Sequence, residues 1–583
     1  MSIYFQKKAH KRTIILSFFF MLWMSGLIVR LVQLQVFDHP RLKAVVIDQN
    51  QNKKPIIPKR GTIYDNEGNI LARSLPVQSV YYTPSKGELY NLKLEKINKL
   101  NKVLDLSEIE LQKLKARIKK DVTFIWIKRK IDPEKEEQLR NLSLSGIYFM
   151  EENKRFYPHG KLAAHLLGRV NIDETGASGI EYKYDSILKG KEGEHLILKD
   201  AKKREYRFEI LREPEPGKDL FLTIDETIQY YTEKALEKAM LKTGAKWGTV
   251  IVARPSTGEI LAMANYPTYD LNNLPPMPTV IDRNQAVHHN FEPGSTFKIV
   301  TASAALEANR TNLYDSFDCS KGYIYISGKA IRDHKRFGVL SFPEVIIHSS
   351  NVGTIQIGQS LDKERFYRTI KAFGFGQKTG IDLPAEESGI FRPLDTWSRI
   401  SPASLSIGYE ISVTAIQMLQ TINIIANRGV ALTPRIIKNN LRFPNTLKKK
   451  LVSRKRILSK GTASELVSIL EGVVQEGTGT TAQIRGYTVA GKTGTAQKFD
   501  PSTGRYSFTA HMASFVGFAP VDDPAFSIVV VIDDPQGQYY GAEVAAPVFR
   551  EIASQSLRYL RIPQQEKSLN TIIADNRRKQ RER

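Results

Sequence analysis

Glu292-Pro293-Gly294-Ser295-Thr296-Phe297-Lys298-Ile299-Val300 sets a serine and a lysine one helical turn apart, directly after a Pro-Gly break. Phe297 to Leu306 then reads as a helix rich in alanine and buried apolar residues. Residues i and i+3 share a helix face, so the Ser295 hydroxyl and the Lys298 amine can approach each other. The hydroxyl also sits at a helix start, where free N–H groups favour developing negative charge. A neutral amine beside a serine is one way to make a nucleophile of it. The tetrad alone is short enough to arise by chance, and a capping serine with a solvated lysine explains it equally well.

Two further stretches change that balance. Ser349-Ser350-Asn351 follows the apolar Val345–Ile347, and Lys492-Thr493-Gly494-Thr495 lies further on. A serine hydroxyl in the first can relay a proton, and the Asn351 amide can hold both Lys298 and a substrate peptide. The same residues could simply open a helix, with Asn351 as its cap. Lys492 to Gln497 reads as an edge strand beside a cleft, with Thr493 and Thr495 on one face and Gly494 leaving room for a substrate backbone. Lys492 supplies charge for a carboxylate and can keep Lys298 deprotonated by repulsion. The N–H groups of Ser295 and Thr495 are candidates for an oxyanion hole.

The three motifs, in this order and spacing, resemble those of penicillin-binding proteins and the related serine β-lactamases. The chain is identified by resemblance as a class B penicillin-binding protein of the septal, cell-division (FtsI) type, a likeness running from the membrane segment to about Arg561. Arg60–Gly68 is similar to the family's first pedestal signature, with Asn66 where an arginine is usual. Arg155-Phe156-Tyr157-Pro158 and Gly176–Glu181 resemble the second and third. Phe515–Pro520, Val531–Pro535 and Ala545–Phe549 favour the division subtype, although Ala542 stands where a second glycine is more usual.

The N-terminus points to a compartment. Lys7, Lys8, Lys11 and Arg12 precede an uncharged run from Thr13 to Val29, and apolar character continues to Phe37. That length spans a bilayer, no A-x-A-like cleavage site follows, and the basic flank predicts a cytoplasmic N-terminus. The expectation is a single-pass protein of the bacterial cytoplasmic (inner) membrane with its bulk extracytoplasmic. The formal charge of +24 over 583 residues then points to anionic wall polymers or lipid headgroups, not nucleic acid. A single cysteine, Cys319, excludes an intramolecular disulfide. The ten histidines form no metal-binding spacing, so neither metal nor other cofactor is expected.

The expected fold class is α+β. Residues 1–12 are the cytoplasmic N-terminus and 13–37 the transmembrane anchor. A mixed pedestal (dimerisation-like) domain takes 38–215, with helices over Leu92–Ile118 broken at Leu106 and capped by Ser107. Punctuation at Pro214–Gly217 opens a penicillin-binding/transpeptidase domain, 216–562, whose antiparallel sheet is covered by helices. It comprises a helix Glu226–Leu241, a hairpin Gly248–Ala253/Glu259–Ala264, a buried strand Phe526–Ile532 and a closing helix Ala545–Leu560. A basic disordered tail fills 563–583.

The resemblance implies a serine D,D-transpeptidase that cross-links peptidoglycan stem peptides and is acylated by β-lactams. Its catalytic set would be Ser295, Lys298, Ser349, Asn351 and Lys492, with Thr493, Gly494 and Thr495 binding substrate. Its implied partners are the septal glycan polymerase and other divisome proteins. The rivals are an elongation-type enzyme, a D,D-carboxypeptidase, a non-enzymatic divisome scaffold, and a β-lactamase with Glu386 or Glu387 as its water-activating base.

Overall fold

The computed structural model describes residues 2–41, 51–85, 87–120, 122, 124–199, 205–274, 283–438, 454–500 and 502–565. Most of the basic tail therefore lies outside the described residues. The chain forms two compact units, Met1–Lys59 with Gly190–Gly217, and Arg60–Lys189 with Lys218–Arg583. The first holds a helix Ser2–Val32, continued by a π-turn Gln33–Phe37, and a three-stranded antiparallel sheet of Gln51–Ile56, Gly193–Lys199 and Glu205–Arg212. His10–Phe37 is long and apolar enough to cross a membrane, and its side chains are unburied.

In the second unit the pedestal is organised by a long strand, Ile70–Tyr82, which pairs antiparallel with both Ile125–Ile131 and Ile147–Phe156. Helices Tyr90–Leu104 and Glu108–Ile118 bury Ile97, Leu100, Leu104, Leu111 and Leu114 against it. Ser107 caps the second helix as its sequence predicts: its Oγ accepts from Glu110 N at 3.3 Å while Glu110 Oε2 accepts from Ser107 N at 2.9 Å. The three pedestal motifs meet in one buried ion cluster. Glu181 accepts from Arg60 Nε at 2.7 Å and from Arg155 Nε at 2.6 Å. Arg60 also reaches Asp185 at 2.6 Å, and Glu174 accepts from Arg155 N at 3.0 Å. Charges this deep persist only when each is paired and hydrogen-bonded. Asn66, in place of the usual arginine, contacts Asp225 Oδ2 at 3.5 Å.

Helix α1, Glu226–Thr243, starts where Asp225 accepts from Ile228 N. Strands β1 (Trp247–Arg254) and β2 (Glu259–Tyr266) form the expected hairpin. A helical lobe follows, with α2 (Lys298–Glu307), a small hairpin β3 (Tyr323–Ile326) and β4 (Lys329–Arg332), α3 (Phe342–Ile347), α4 (Asn351–Ser360), α5 (Ala415–Ala426) and α6 (Lys460–Gln475). Strands β5 (Ala490–Asp500), β6 (Arg505–Ala519) and β7 (Phe526–Asp533) complete an antiparallel sheet of order β2-β1-β7-β6-β5, and α7 (Ala546–Tyr559) closes the fold. Every residue of β7 is buried because both sheet faces are covered. Val529 and Val531 join the core containing α2 and α5, while Ile528, Val530 and Ile532 join the one containing α1 and α7. This two-sided burial is why β7 reads as an unbroken apolar run instead of an alternating one. Strand β5 stands at the open edge, as its sequence predicts.

Candidate active site

Ser295 lies in a short 3-10 turn, Gly294–Phe297, that runs directly into α2. Thr296 Oγ1 donates to Pro293 O at 2.8 Å and fixes the turn. Ser295 is half-buried, and among the described residues its hydroxyl makes no hydrogen bond. Lys298 is fully buried and reaches across to the next motif. Its Nζ donates to Ser349 O at 2.7 Å and to Asn351 Oδ1 at 2.8 Å, and lies 3.3 Å from Ser349 Oγ. A neutral amine has two protons and one lone pair, so the two shorter bonds leave the lone pair for the serine hydroxyls.

Burial pushes the Lys298 pKa from 10.5 down to about 7, with the Asp333 carboxylate opposing the fall. Lys492, equally buried, is pushed far down by desolvation and then by Lys298. Repulsion was expected to act from Lys492 onto Lys298. The repulsion is mutual, and after desolvation it helps hold Lys492 well below the ordinary lysine value.

Ser349 sits between α3 and α4 with φ +57, a left-handed conformation costing on the order of 1 kcal/mol in a residue with a Cβ. The twist turns its carbonyl and hydroxyl onto Lys298. Ser350, not Asn351, caps α4, accepting from Gly353 N at 3.0 Å. Asn351 is thereby the first helical residue, and its side chain is free to face the lysine. Sequence reading missed the residue that holds this arrangement. Asp333, after β4, accepts from Asn351 N, from Val352 N at 3.1 Å and from Ser350 Oγ at 2.8 Å. Asn351 Nδ2 donates to Arg332 O at 2.8 Å. Cys319 is buried, with Ser350 Oγ 3.3 Å from its sulfur.

The third motif lies on β5. Thr493 Oγ1 is 2.8 Å from Thr478 Oγ1, Thr495 Oγ1 accepts from Gly541 N at 3.0 Å, and Lys492 Nζ donates to Thr493 O at 3.2 Å. Gly494 has a reason other than room for substrate. A Cβ there would stand 2.3 Å from Ser514 Oγ, 2.9 Å from Thr296 Cγ2 and 3.1 Å from Pro293 O, so its absence lets β5 close onto the serine turn. Gly541 is tighter still, with Gly494 O at 2.3 Å and Ser514 O at 2.4 Å from its missing Cβ. The neighbouring Ala542 has no such constraint and accepts from Thr481 Oγ1.

The carboxylates weighed as water-activating bases are engaged elsewhere. Glu386 accepts from Thr379 N and Oγ1, each at 2.6 Å, and from Gly380 N at 3.2 Å. Glu387 lies 3.8 Å from His288. Neither makes a hydrogen bond to any of the eight motif residues.

Comparison with known proteins agrees with this geometry. Residues 248–554 match the family "Penicillin binding protein transpeptidase domain", and 55–222 match "Penicillin-binding Protein dimerisation domain". The chain is 36% identical to stage V sporulation protein D of Bacillus subtilis (strain 168), over 91% of this chain and 82% of that protein. It is 32% identical to peptidoglycan D,D-transpeptidase FtsI of Escherichia coli (strain K12), over 93% and 90%. Among solved structures, penicillin binding protein 3 from Mycobacterium tuberculosis complexed with ampicillin superposes with a TM-score of 0.69 at 28% identity, covering 88% of this chain and 98% of that one. The chain thus belongs to the class B penicillin-binding proteins, the family that joins a dimerisation domain to a penicillin-binding transpeptidase domain.

Proposed function

We propose that this chain is a peptidoglycan D,D-transpeptidase in which Ser295 is the nucleophile and Lys298 its base. Ser295 Oγ attacks the carbonyl between the last two D-alanines of a donor stem, and its proton passes to the neutral Lys298 amine. Backbone N–H groups of Ser295 and Thr495 hold the oxyanion. As the C–N bond breaks, the proton returns through Ser349 Oγ to the departing D-alanine amine. The amine of a second stem then attacks the ester and gives its proton to Lys298, which passes it to Ser295 Oγ as the C–O bond breaks, restoring both groups. Thr493 and Thr495 hold the donor's terminal carboxylate, or that of a β-lactam, with Gly494 letting β5 lie flush beside it. The observation that carries the reading is the buried Lys298 amine held between Ser349 and Asn351 with its affinity for a proton lowered to about 7. The same chemistry is named in FtsI of Escherichia coli and in several further relatives.

The chain is read as a single-pass membrane protein on the one long apolar helix among the described residues. We place its N-terminus in the cytoplasm, residues 38–215 as pedestal and 216–562 as catalytic domain, and a septal glycan polymerase with other divisome proteins as partners. The basic flank of the helix and the FtsI relatives support this. A role in the spore wall is the second reading, favoured by the stage V sporulation relative. Intact mass after incubation with benzylpenicillin, beside a Ser295→Ala control, tests the chemistry. A lasting one-to-one adduct absent from the control is expected. A transient adduct would turn the reading to hydrolysis, and no adduct on folded protein would leave a scaffold. Depletion in growing cells separates the two roles, giving filaments for the septal one and a defect confined to spores for the other.

A further inference from the structure

Hairpin β3–β4 borders the candidate active site but supplies none of the eight motif residues. Its register is Tyr323↔Arg332, Ile324↔Ile331, Tyr325↔Ala330 and Ile326↔Lys329. The two-residue turn Ser327-Gly328 has φ +48 and +82, the left-handed pair that suits the twist of a tight hairpin. Ile324, Ile326 and Ile331 pack in one cluster with Ile355 of α4. Alternation sends Tyr323, Tyr325 and Arg332 to the opposite face, where Tyr325 is 66% exposed.

This segment is heavily cationic. Between residues 321 and 337 stand Lys321, Lys329, Arg332, Lys335 and Arg336, against a single acid, Asp333. All five are exposed, and among the described residues none is in a salt bridge. Asp333 is spent on α4. Two of the cations are instead held over aromatic rings: Arg332 lies 5.7 Å from the Tyr323 centroid, and Lys335 5.1 Å from that of Phe337. Some exposed cations elsewhere in this unit do pair with carboxylates, as Lys128 does with Glu110 and Lys238 with Glu551. The register puts Lys329 by the turn and Arg332 on the opposite face, with Lys321, Lys335 and Arg336 flanking the strands, so the cations surround the hairpin and give it a field that attracts anions.

Its position narrows which anion. Both bonds that fix Asn351 to the hairpin, through Arg332 O and Asp333, join its root to the motif that faces Lys298. His334 lies close enough to Lys298 and Lys492 for both to hold its pKa below the ordinary value, after burial has done most of the work. The edge strand β5 is the donor's side of the cleft in the reading above. An acceptor amine has to reach the ester near Ser349 and Lys298, on the side where the hairpin stands. A stem peptide carries free carboxylates along its backbone, and it must deliver its amine uncharged. A cationic surface attracts the first and disfavours the protonated form of the second.

We propose that hairpin β3–β4 is the docking arm for the acceptor stem peptide, its unpaired cations reading the acceptor's carboxylates; this rests on the transpeptidase reading. The test uses the full chain and the triple variant Lys329→Gln/Lys335→Gln/Arg336→Gln, none of which touches the eight motif residues. Two rates are measured: acylation by benzylpenicillin, and aminolysis of a preformed acyl-enzyme by a stem peptide, with its carboxylates free or converted to amides. Three exposed charge contacts are at stake, so the acceptor KM should rise roughly fivefold to tenfold in the variant. The rate at saturating acceptor and the acylation rate should stay within about twofold. Wild type should lose the same factor when the acceptor is amidated, and the variant should not respond. Equal use of free and amidated acceptor by the wild type would overturn the proposal. So would an unchanged KM in the variant together with weakened binding to anionic phospholipid vesicles or to inorganic polyphosphate, which would assign the arm to a lipid or a wall phosphate. Failure of the wild type to acylate at all would instead sink the transpeptidase reading, and the arm's role with it.

Discussion

The base in this site should reveal itself in the pH dependence of acylation. An ordinary lysine with a pKa of 10.5 would be neutral in about one molecule in a thousand at roughly pH 7.5. With the pKa at about 7, roughly three-quarters of Lys298 is neutral there, so burial multiplies the available base by nearly a thousandfold, about 4 kcal/mol of activation. The sign follows from which form acts. Only the neutral amine accepts the Ser295 proton, so the rate should rise tenfold per pH unit below about 7 and flatten above it. The assay is the second-order rate of covalent labelling by a fluorescent penicillin between roughly pH 5 and pH 9, at drug concentrations far below saturation. Lys298→Arg should be inert throughout, because a guanidinium keeps its proton. Asp333→Asn removes the carboxylate that favours protonated Lys298, so the acid limb should move to lower pH. Its plateau should fall about tenfold, because Asn351 loses its tether. A flat profile across neutrality, or a limb near pH 10, would refute burial as the source of the nucleophile.

Three other substitutions read separate parts of the site. Lys492→Met should stabilise the protein against heat by about 1–3 kcal/mol while abolishing labelling, since a buried amine with one hydrogen bond costs more than a thioether. A depressed amine destabilises most below its folded pKa, so that gain should be largest at low pH, shrink as pH rises and vanish above about pH 10.5; a lower melting temperature at every pH would contradict it. Gly541→Ala should cost about 3 kcal/mol and slow labelling strongly, because two backbone oxygens meet its Cβ, whereas Gly494→Ala should cost less, about 2 kcal/mol, since the Ser514 hydroxyl can rotate away while Thr296 and Pro293 must shift only slightly; denaturant melts of both rank them. Glu386→Gln should leave the lifetime of the penicillin adduct within about twofold, because the carboxylate serves the Thr379 turn. A longer-lived adduct, measured by mass spectrometry, would restore it as a deacylating base.

Much of this could be read from the chain alone, for identifiable reasons. The strands around residues 247–266 and 526–533 announce themselves because a hairpin turn or a continuous apolar run has few other uses. The Ser107 cap was legible because serine followed by glutamate at the third position is a local device. What stayed hidden depends on partners remote in sequence. Asp333 is one acid in a basic stretch, and nothing local says that its oxygens close a helix that begins at residue 351. With Ser350 and Asn351 adjacent and both able to cap, the choice falls to the left-handed twist at Ser349, which no pattern encodes. A second reason for Gly494 went unseen because the atoms it must avoid belong to residues 293, 296 and 514. Repulsion between Lys298 and Lys492 was foreseeable, but the larger effect, burial of both amines, depends on residues remote in sequence.

The strand order β2-β1-β7-β6-β5 bears on how the enzyme comes into being. Val250 of β1 pairs with Val530 of β7, about 280 residues later, and β7 joins the first hairpin to the last. A chain made from its N-terminus has made Ser295 long before it can make this seam. Until Phe526–Asp533 arrives, β5 and β6 have no sheet to extend, and the serine turn lacks the edge against which it is set. Contacts of such range form late. The nucleophile therefore stays unassembled until nearly the whole catalytic domain has been delivered, and a chain truncated before residue 526 would carry every motif residue yet have no site in which to use them.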